Sequence, residues 1–300
     1  TQLASWRSYD PYLPGMSLFG LPHAIGLPGP LGEPRLWLAI ATIAALAAAC
    51  HIAAPCAAQG GKRCHHQTLL RTSLLISCPV FALPMTLGVT DPPVIALMCL
   101  SLAWAARSAR SRLLAGAAIG VGCAMKATAW PALPVVAALV AFRDGWRAAT
   151  RFASASLGSC LVLIAVTAPA LLDRPRALWQ NIVAYPLGMS RRPTQAASPL
   201  PGHLIASTGS LGHLVAIALL AGAALVVGAS LVLRPPRDVR QATVRLAVSL
   251  AVVFLLAPDA RFGYFAYPLG ILCWLMLTVD SPRVGTERPP LDGRILWRWR

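Results

Sequence analysis

The stretch LLAGAAIGVGCAMKATAWPALPVVAALVAF, residues 113–142, contains one charged residue, Lys126, and two prolines, Pro131 and Pro134. A helix needs about 20 apolar residues to cross a bilayer core of roughly 30 Å. This run is longer than one crossing requires, and its prolines interrupt the helical hydrogen-bond ladder. It reads either as one overlong helix with a lysine inside the membrane or as two helices that turn between residues 126 and 131. Charge on the flanking loops decides between them. With two helices, Lys62/Arg63/Arg71, Arg107/Arg110/Arg112, Arg143/Arg147/Arg151, Arg234/Arg237/Arg240/Arg245 and the arginines after Ser281 fall on one side. With one helix they scatter over both sides. Lys- and Arg-rich loops mark the cytoplasmic face, so the split is expected.

The whole chain has the composition that such a run demands. Of its 300 residues, 57% are apolar and 12% charged, against about 45–50% and 25% in soluble domains. Its net charge of +16 is spread in short clusters between apolar runs. With no zinc-finger spacing, RNP motif or basic helix, nucleic acid is excluded as a partner. The only lysines are Lys62 and Lys126, and the wealth of Arg, Ala, Leu and Pro points to a GC-rich, bacterial genome. Most of the eight cysteines lie inside apolar runs, where Cys behaves as a small hydrophobe. Cys64-His65-His66 lacks a second cluster at zinc-like spacing, so no metal is expected there and the segment reads as a basic, solvated loop. No P-loop, dinucleotide fingerprint or nucleophile elbow is present, and no cofactor is called for.

Apolar runs between charged punctuation give spans at 36–55, 72–87 (bent by Pro79 and Pro84), 93–106, the two halves of 113–142, 152–172, 213–233, 244–256 and 264–278. The expected fold is an all-α polytopic membrane protein with about eight or nine membrane-embedded helices. Residues 1–35 read as an extracytoplasmic loop segment and 36–280 as the transmembrane domain, with an extracytoplasmic loop at 173–209. Residues 281–300 read as a basic cytoplasmic tail. The expected location is the plasma membrane, multi-pass, with a cytoplasmic C-terminus. The chain begins at Thr1 within what reads as an inter-helix loop, as the C-terminal part of a longer protein would.

On this topology the outer face collects half of the ten acidic residues, Asp10, Glu33, Asp91, Asp173 and Asp259, and most loop aromatics. Ionisable residues at membrane depth are functional candidates by default. Lys126 offers a fixed charge to an anion such as a lipid phosphate; the plainer reading is a lysine snorkelling to the interface. Asp91 precedes two prolines and reads as a helix cap or a ligand group. Arg261 can clamp a phosphate through paired N–H donors, or form a surface ion pair with Asp259. Tyr264 and Tyr267 face a sugar or sit in the interfacial aromatic belt. In the long loop, Arg191 and Arg192 can meet lipid headgroups or an anionic donor, whereas His203 reads as a plain loop residue. Asp91, Lys126 and Arg261 are expected on one membrane face, around one cavity.

Four of these outer-face segments carry a resemblance: YDPYLPGMSLFGLP (9–22), GVTDPPVIALMCL (88–100), GAAIGVGCAMKATAWPALP (116–134) and LAPDARFGYFAYPLG (256–270). Together they resemble actinobacterial membrane proteins of the family 87 glycosyltransferase type, within the broad GT-C class. The resemblance implies a GT-C-like helical bundle acting outside the cytoplasm in building the cell envelope. It further implies transfer of a hexosyl (mannosyl-type) or arabinosyl group from a polyprenyl-phosphate donor to a glycan or glycolipid acceptor, with membrane lipids as surroundings. Such enzymes often carry their acidic base in the first outer loop, which falls before Thr1 here; Asp10 lies just downstream, and Asp91 is the other acid considered. Lys126 and Arg261 would meet the donor phosphate. The competing readings are a transporter or flippase for lipid-linked precursors, an inactive truncated homologue, and a scaffold. Ion-coupled transport calls for ionisable groups near the midplane of several helices, and apart from Lys126 these spans have almost none.

Overall fold

The computed structural model describes residues 12–53, 61–169, 176, 179–185, 187–189 and 196–279. The longer helices are α1 (Pro34–Ala53), α2 (Gly61–Ser77), α3 (Pro79–Thr86), α4 (Asp91–Ala105) and α5 (Ala109–Met125). They are followed by α6 (Ala132–Asp144), α7 (Trp146–Thr167), α8 (Ser210–Leu233), α9 (Val239–Leu256) and α10 (Ala266–Thr278). No strand occurs among the described residues, which form an all-α polytopic membrane fold.

The decisive run is split where its composition demands. Lys126 closes α5 by donating its N–H to the Gly122 carbonyl at 3.0 Å, then leaves the helix with φ −156° and ψ 136°. A 3-10 turn at Ala127–Ala129 and Pro131 at the cap of α6 redirect the chain. α1, α7, α8 and α9 are each long and apolar enough to cross a bilayer, and α2 with α3, bent by 65° at Pro79, makes a fifth candidate. Pro79 cannot continue the α2 ladder but suits the first turn of α3. α2 starts earlier than the apolar run at 72–87 suggests, because nothing between Gly61 and Thr72 breaks a helix and Lys, Arg and Gln favour one. Cys64 therefore sits in a helix rather than a loop, and it is disulfide-bonded.

The helices alternate between two ends of the bundle. α4 and α10 run parallel, with Gly270 against Ile95 and Tyr267 against Asp91. α5 and α7 are likewise parallel: Gly116 lies on Phe152 and Gly120 on Ser156 and Ser159. At the end where α4, α6 and α8 finish, arginines tie helix termini together. Arg107 Nε donates to the Ile52 carbonyl at 2.9 Å, Arg112 pairs with Asp144 at 2.5 Å, and Arg245 Nη1 donates to the Ser230 carbonyl at 3.2 Å. Tyrosines gather at the other end.

Apolar residues all round a helix mean burial in protein or in lipid, and both outcomes occur. α4 is buried along almost its whole length, packed against α1, α5, α6, α9 and α10. α8 buries only Gly212, Ala216 and Leu231 and turns the rest outward, as a lipid-facing span does. Lipid removes the hydrophobic drive between helices, so close packing of small residues matters more. The Gly116/Gly120 pair provides it: a Cβ on either glycine would collide with α7 backbone carbonyls.

Candidate active site

At the tyrosine end the antiparallel α4/α5 hairpin brings the first residue of α4, Asp91, to the residue that closes α5, Lys126. Both are buried, 6% and 7% exposed, and they form an ion pair. Lys126 Nζ donates to Asp91 Oδ1, and the Tyr267 hydroxyl donates to the same oxygen at 2.7 Å. Thr128 Oγ1 in turn donates to the Tyr267 hydroxyl at 2.7 Å. The ammonium lies 5.3, 5.4 and 6.0 Å from the ring centroids of Tyr12, Tyr264 and Tyr267, distances at which a cation is attracted to an aromatic face. Phe254 backs this cage, 5.3 Å from Tyr264 and 5.9 Å from Tyr267. A charge in a low-dielectric interior is held only by a partner of opposite sign with good hydrogen bonds, and this network supplies both.

The segment after Tyr12 covers the cage. Leu13 donates its N–H to the Met125 carbonyl at 3.1 Å, and a Cβ on Gly15 would stand 2.7 Å from the Ala124 carbonyl oxygen. Only glycine lets the chain lie this close to the end of α5. On the far side, the turn between α9 and α10 is fastened to the loop before α8. Ala197 and Ala260 form a parallel bridge, Ser198 N–H donates to the Ala260 carbonyl at 3.1 Å, and Phe262 N–H donates to Ser198 Oγ at 3.2 Å. His203 Nδ1 donates to the Pro258 carbonyl at 2.8 Å and lies 3.9 Å from Asp259 Oδ1.

Lys126 neither faces lipid nor shares the arginine end. Its nearest partner is a carboxylate, so of the two cations expected to meet a phosphate, Arg261 is the one with an exposed side chain. Tyr264 is within electrostatic reach of Lys126, Asp91, Arg261 and Tyr12. Asp91 is not the cap of α4: Thr90 holds that position, and the Asp91 carboxylate is spent on Lys126 and Tyr267. Asp10, Arg191 and Arg192 lie outside the described residues. Tyr12 belongs to the aromatics expected on this face, whereas Thr128 is the network member that the amino-acid pattern did not single out; it is only two residues from Lys126, and this adjacency was the available signal. Among the described residues no three His, Cys, Asp or Glu side chains converge on a metal-sized site.

Two clefts flank the cage. One, of ≈ 480 Å³, lies under the 12–20 segment and is lined in part by Tyr12 and Thr90. The other, of ≈ 700 Å³, runs between α6 and α7 and is lined by apolar residues such as Leu133, Ala137, Leu157 and Ile164. Its few polar groups are largely spent: Ser156 Oγ donates to the Phe152 carbonyl at 3.0 Å and Trp130 Nε1 to the Cys123 carbonyl at 3.3 Å. Leu13 and Ile182 belong to both clefts. Neither is lined by Asp91, Lys126 or Arg261, so these three share one end of the bundle without lining either of these spaces.

No curated protein and no solved structure matches the chain. The model of glycosyltransferase family 87 matches residues 11–258. That match takes in Tyr12, Asp91, Lys126 and Thr128, both clefts and every helix up to α9, and ends before Arg261, Tyr264 and Tyr267; on it this multi-pass membrane protein belongs to glycosyltransferase family 87.

Proposed function

We propose that the protein transfers a hexosyl (mannosyl-type) or arabinosyl group from a polyprenyl-phosphate donor to a glycan or glycolipid acceptor at the tyrosine end, and that this end faces away from the cytoplasm. The observation that carries the reading is the apolar cleft of ≈ 700 Å³ beside the cage. A lining whose polar groups among the described residues are few and largely spent suits an aliphatic isoprenoid chain. Sidedness is supported by the arginines at the opposite end. α10 runs toward those arginines, which supports a cytoplasmic C-terminus at the plasma membrane.

In such a transfer a base takes the proton of the acceptor hydroxyl while cations stabilise the departing lipid phosphate. Arg261, exposed beside Tyr264, is assigned to the phosphate. Lys126 contributes the second positive charge, held in place through Asp91. Asp91, buried and already held by two donors, is a positioning residue, and Asp10, two residues before Tyr12, is the acid to test as base. A transporter would carry ionisable groups near the midplane; this buried pair sits at one end of the bundle instead.

A cleft-filling change tests the chain-binding role. Ala153→Phe places an aromatic ring in the apolar cleft. It raises the KM for a long-chain polyprenyl donor and leaves that of a donor with two isoprene units nearly unchanged. An equal effect on both donors, or none on either, would count against the cleft as the chain site.

A further inference from the structure

The smaller cleft carries a more specific assignment, which rests on the glycosyltransferase reading. Its ≈ 480 Å³ falls within the range of about 300–1,000 Å³ usual for small-molecule sites. Among the described residues no charged side chain lines it, and its polar ones are Tyr12, Ser17, Thr90, Thr167 and Asn181. An uncharged, hydroxyl-bearing wall that also presents the Tyr12 and Phe19 rings suits a neutral polyol rather than a phosphate or a metal ion.

Thr90 is the informative residue. As the cap of α4 its hydroxyl would ordinarily accept from the N–H groups two and three residues on. Those positions are Pro92 and Pro93, which have no N–H, and Thr90 makes no capping bond. Its Oγ1 is buried and has no hydrogen-bond partner. Leaving a buried hydroxyl unsatisfied is unfavourable, so helix capping does not explain a threonine at this place. Ser17 and Thr167 have already donated their hydroxyl protons, to the Pro14 and Leu163 carbonyls, each at 2.7 Å. They offer only acceptor lone pairs, whereas Thr90 has its donor free. The cleft meets the apolar one at Leu13 and Ile182, so a ring bound here lies next to a prenyl chain bound there.

We propose that this cleft binds the sugar ring of a lipid-linked substrate and that Thr90 Oγ1, after a rotation about χ1, hydrogen-bonds one of its hydroxyls. Thr90→Val keeps the shape and loses the hydroxyl, and Thr90→Ser restores the hydroxyl. In membranes containing the full-length protein, Thr90→Val raises KM by roughly tenfold, the scale of one lost hydrogen bond, and Thr90→Ser recovers most of it. A rise confined to polyprenyl-phosphate mannose or arabinose assigns the ring to the donor; a rise confined to the glycolipid assigns it to the acceptor.

A second readout needs no turnover. In Ser17→Cys, methyl mannoside or methyl arabinofuranoside slows maleimide labelling at position 17, and adding Thr90→Val abolishes that protection. Sensitivity of either readout to Thr90→Val sustains the assignment. Unchanged KM values together with no Thr90-dependent protection overturn it. Absence of transfer by the wild type alongside Thr90-dependent protection would sink the glycosyltransferase reading and leave the sugar site standing.

Discussion

At the scale of single residues, the Asp91/Lys126 pair is where electrostatics is most demanding. Removing one partner from a buried pair strands the other charge and typically costs about 3–5 kcal/mol, whereas replacing both with neutral groups is often nearly neutral. Asp91→Asn and Lys126→Met are therefore each expected to lower stability by about that amount, and the double variant to recover most of it. Thermal unfolding in detergent micelles reads this directly, and additive losses would contradict the pairing. Tyr267→Phe removes one hydrogen bond to a carboxylate and is expected to cost less, about 1.5–3 kcal/mol. Lys126 was legible in the chain as the one charge in residues 113–142. Its partner was not, because Asp91 is 35 positions away and meets it only once the α4/α5 hairpin closes. The same gap explains why Asp91 read as a helix cap: an acid before two prolines has that signature, and only the fold shows Thr90 in its place.

Among elements, the α5/α7 contact depends most on side-chain size. Gly116 and Gly120 let α7 approach until its carbonyls touch α5, and Ser159 Oγ donates to the Ala117 carbonyl at 3.1 Å. Gly120→Leu is expected to lose about 1–3 kcal/mol through overpacking. Gly158→Leu makes a fitting control, because a Cβ there meets nothing within 4 Å. Equal losses for the two, measured as thermal inactivation in micelles, would mean that the contact is looser than drawn. GAAIG at 116–120 displays the small-residue spacing, but the pattern does not name the helix it faces. Prolines were more explicit: Pro79 and Pro131 mark breaks that the structure keeps. The early start of α2 was hidden because its basic first turns carry no apolar signal.

For the whole molecule, the separation of an arginine end from a tyrosine end followed from loop charge, which is why splitting residues 113–142 could be argued before any helix was placed. What loop charge could not convey is the pair of clefts meeting at Leu13 and Ile182, since their walls come from segments far apart in the chain. The proposed sidedness predicts that an impermeant maleimide labels Gly209→Cys in intact cells, but reaches Arg237→Cys only after permeabilisation; the reverse pattern would invert the topology. The central claim is sugar transfer from a lipid-phosphate donor. Its most direct test is an assay of membranes containing the full-length protein, with radiolabelled polyprenyl-phosphate mannose and then the arabinose donor, comparing wild type with Arg261→Ala. The account predicts transfer from one of these donors and a loss of roughly tenfold or more in Arg261→Ala, as for a lost charged hydrogen bond. A normally inserted wild-type protein that transfers from neither donor would contradict it.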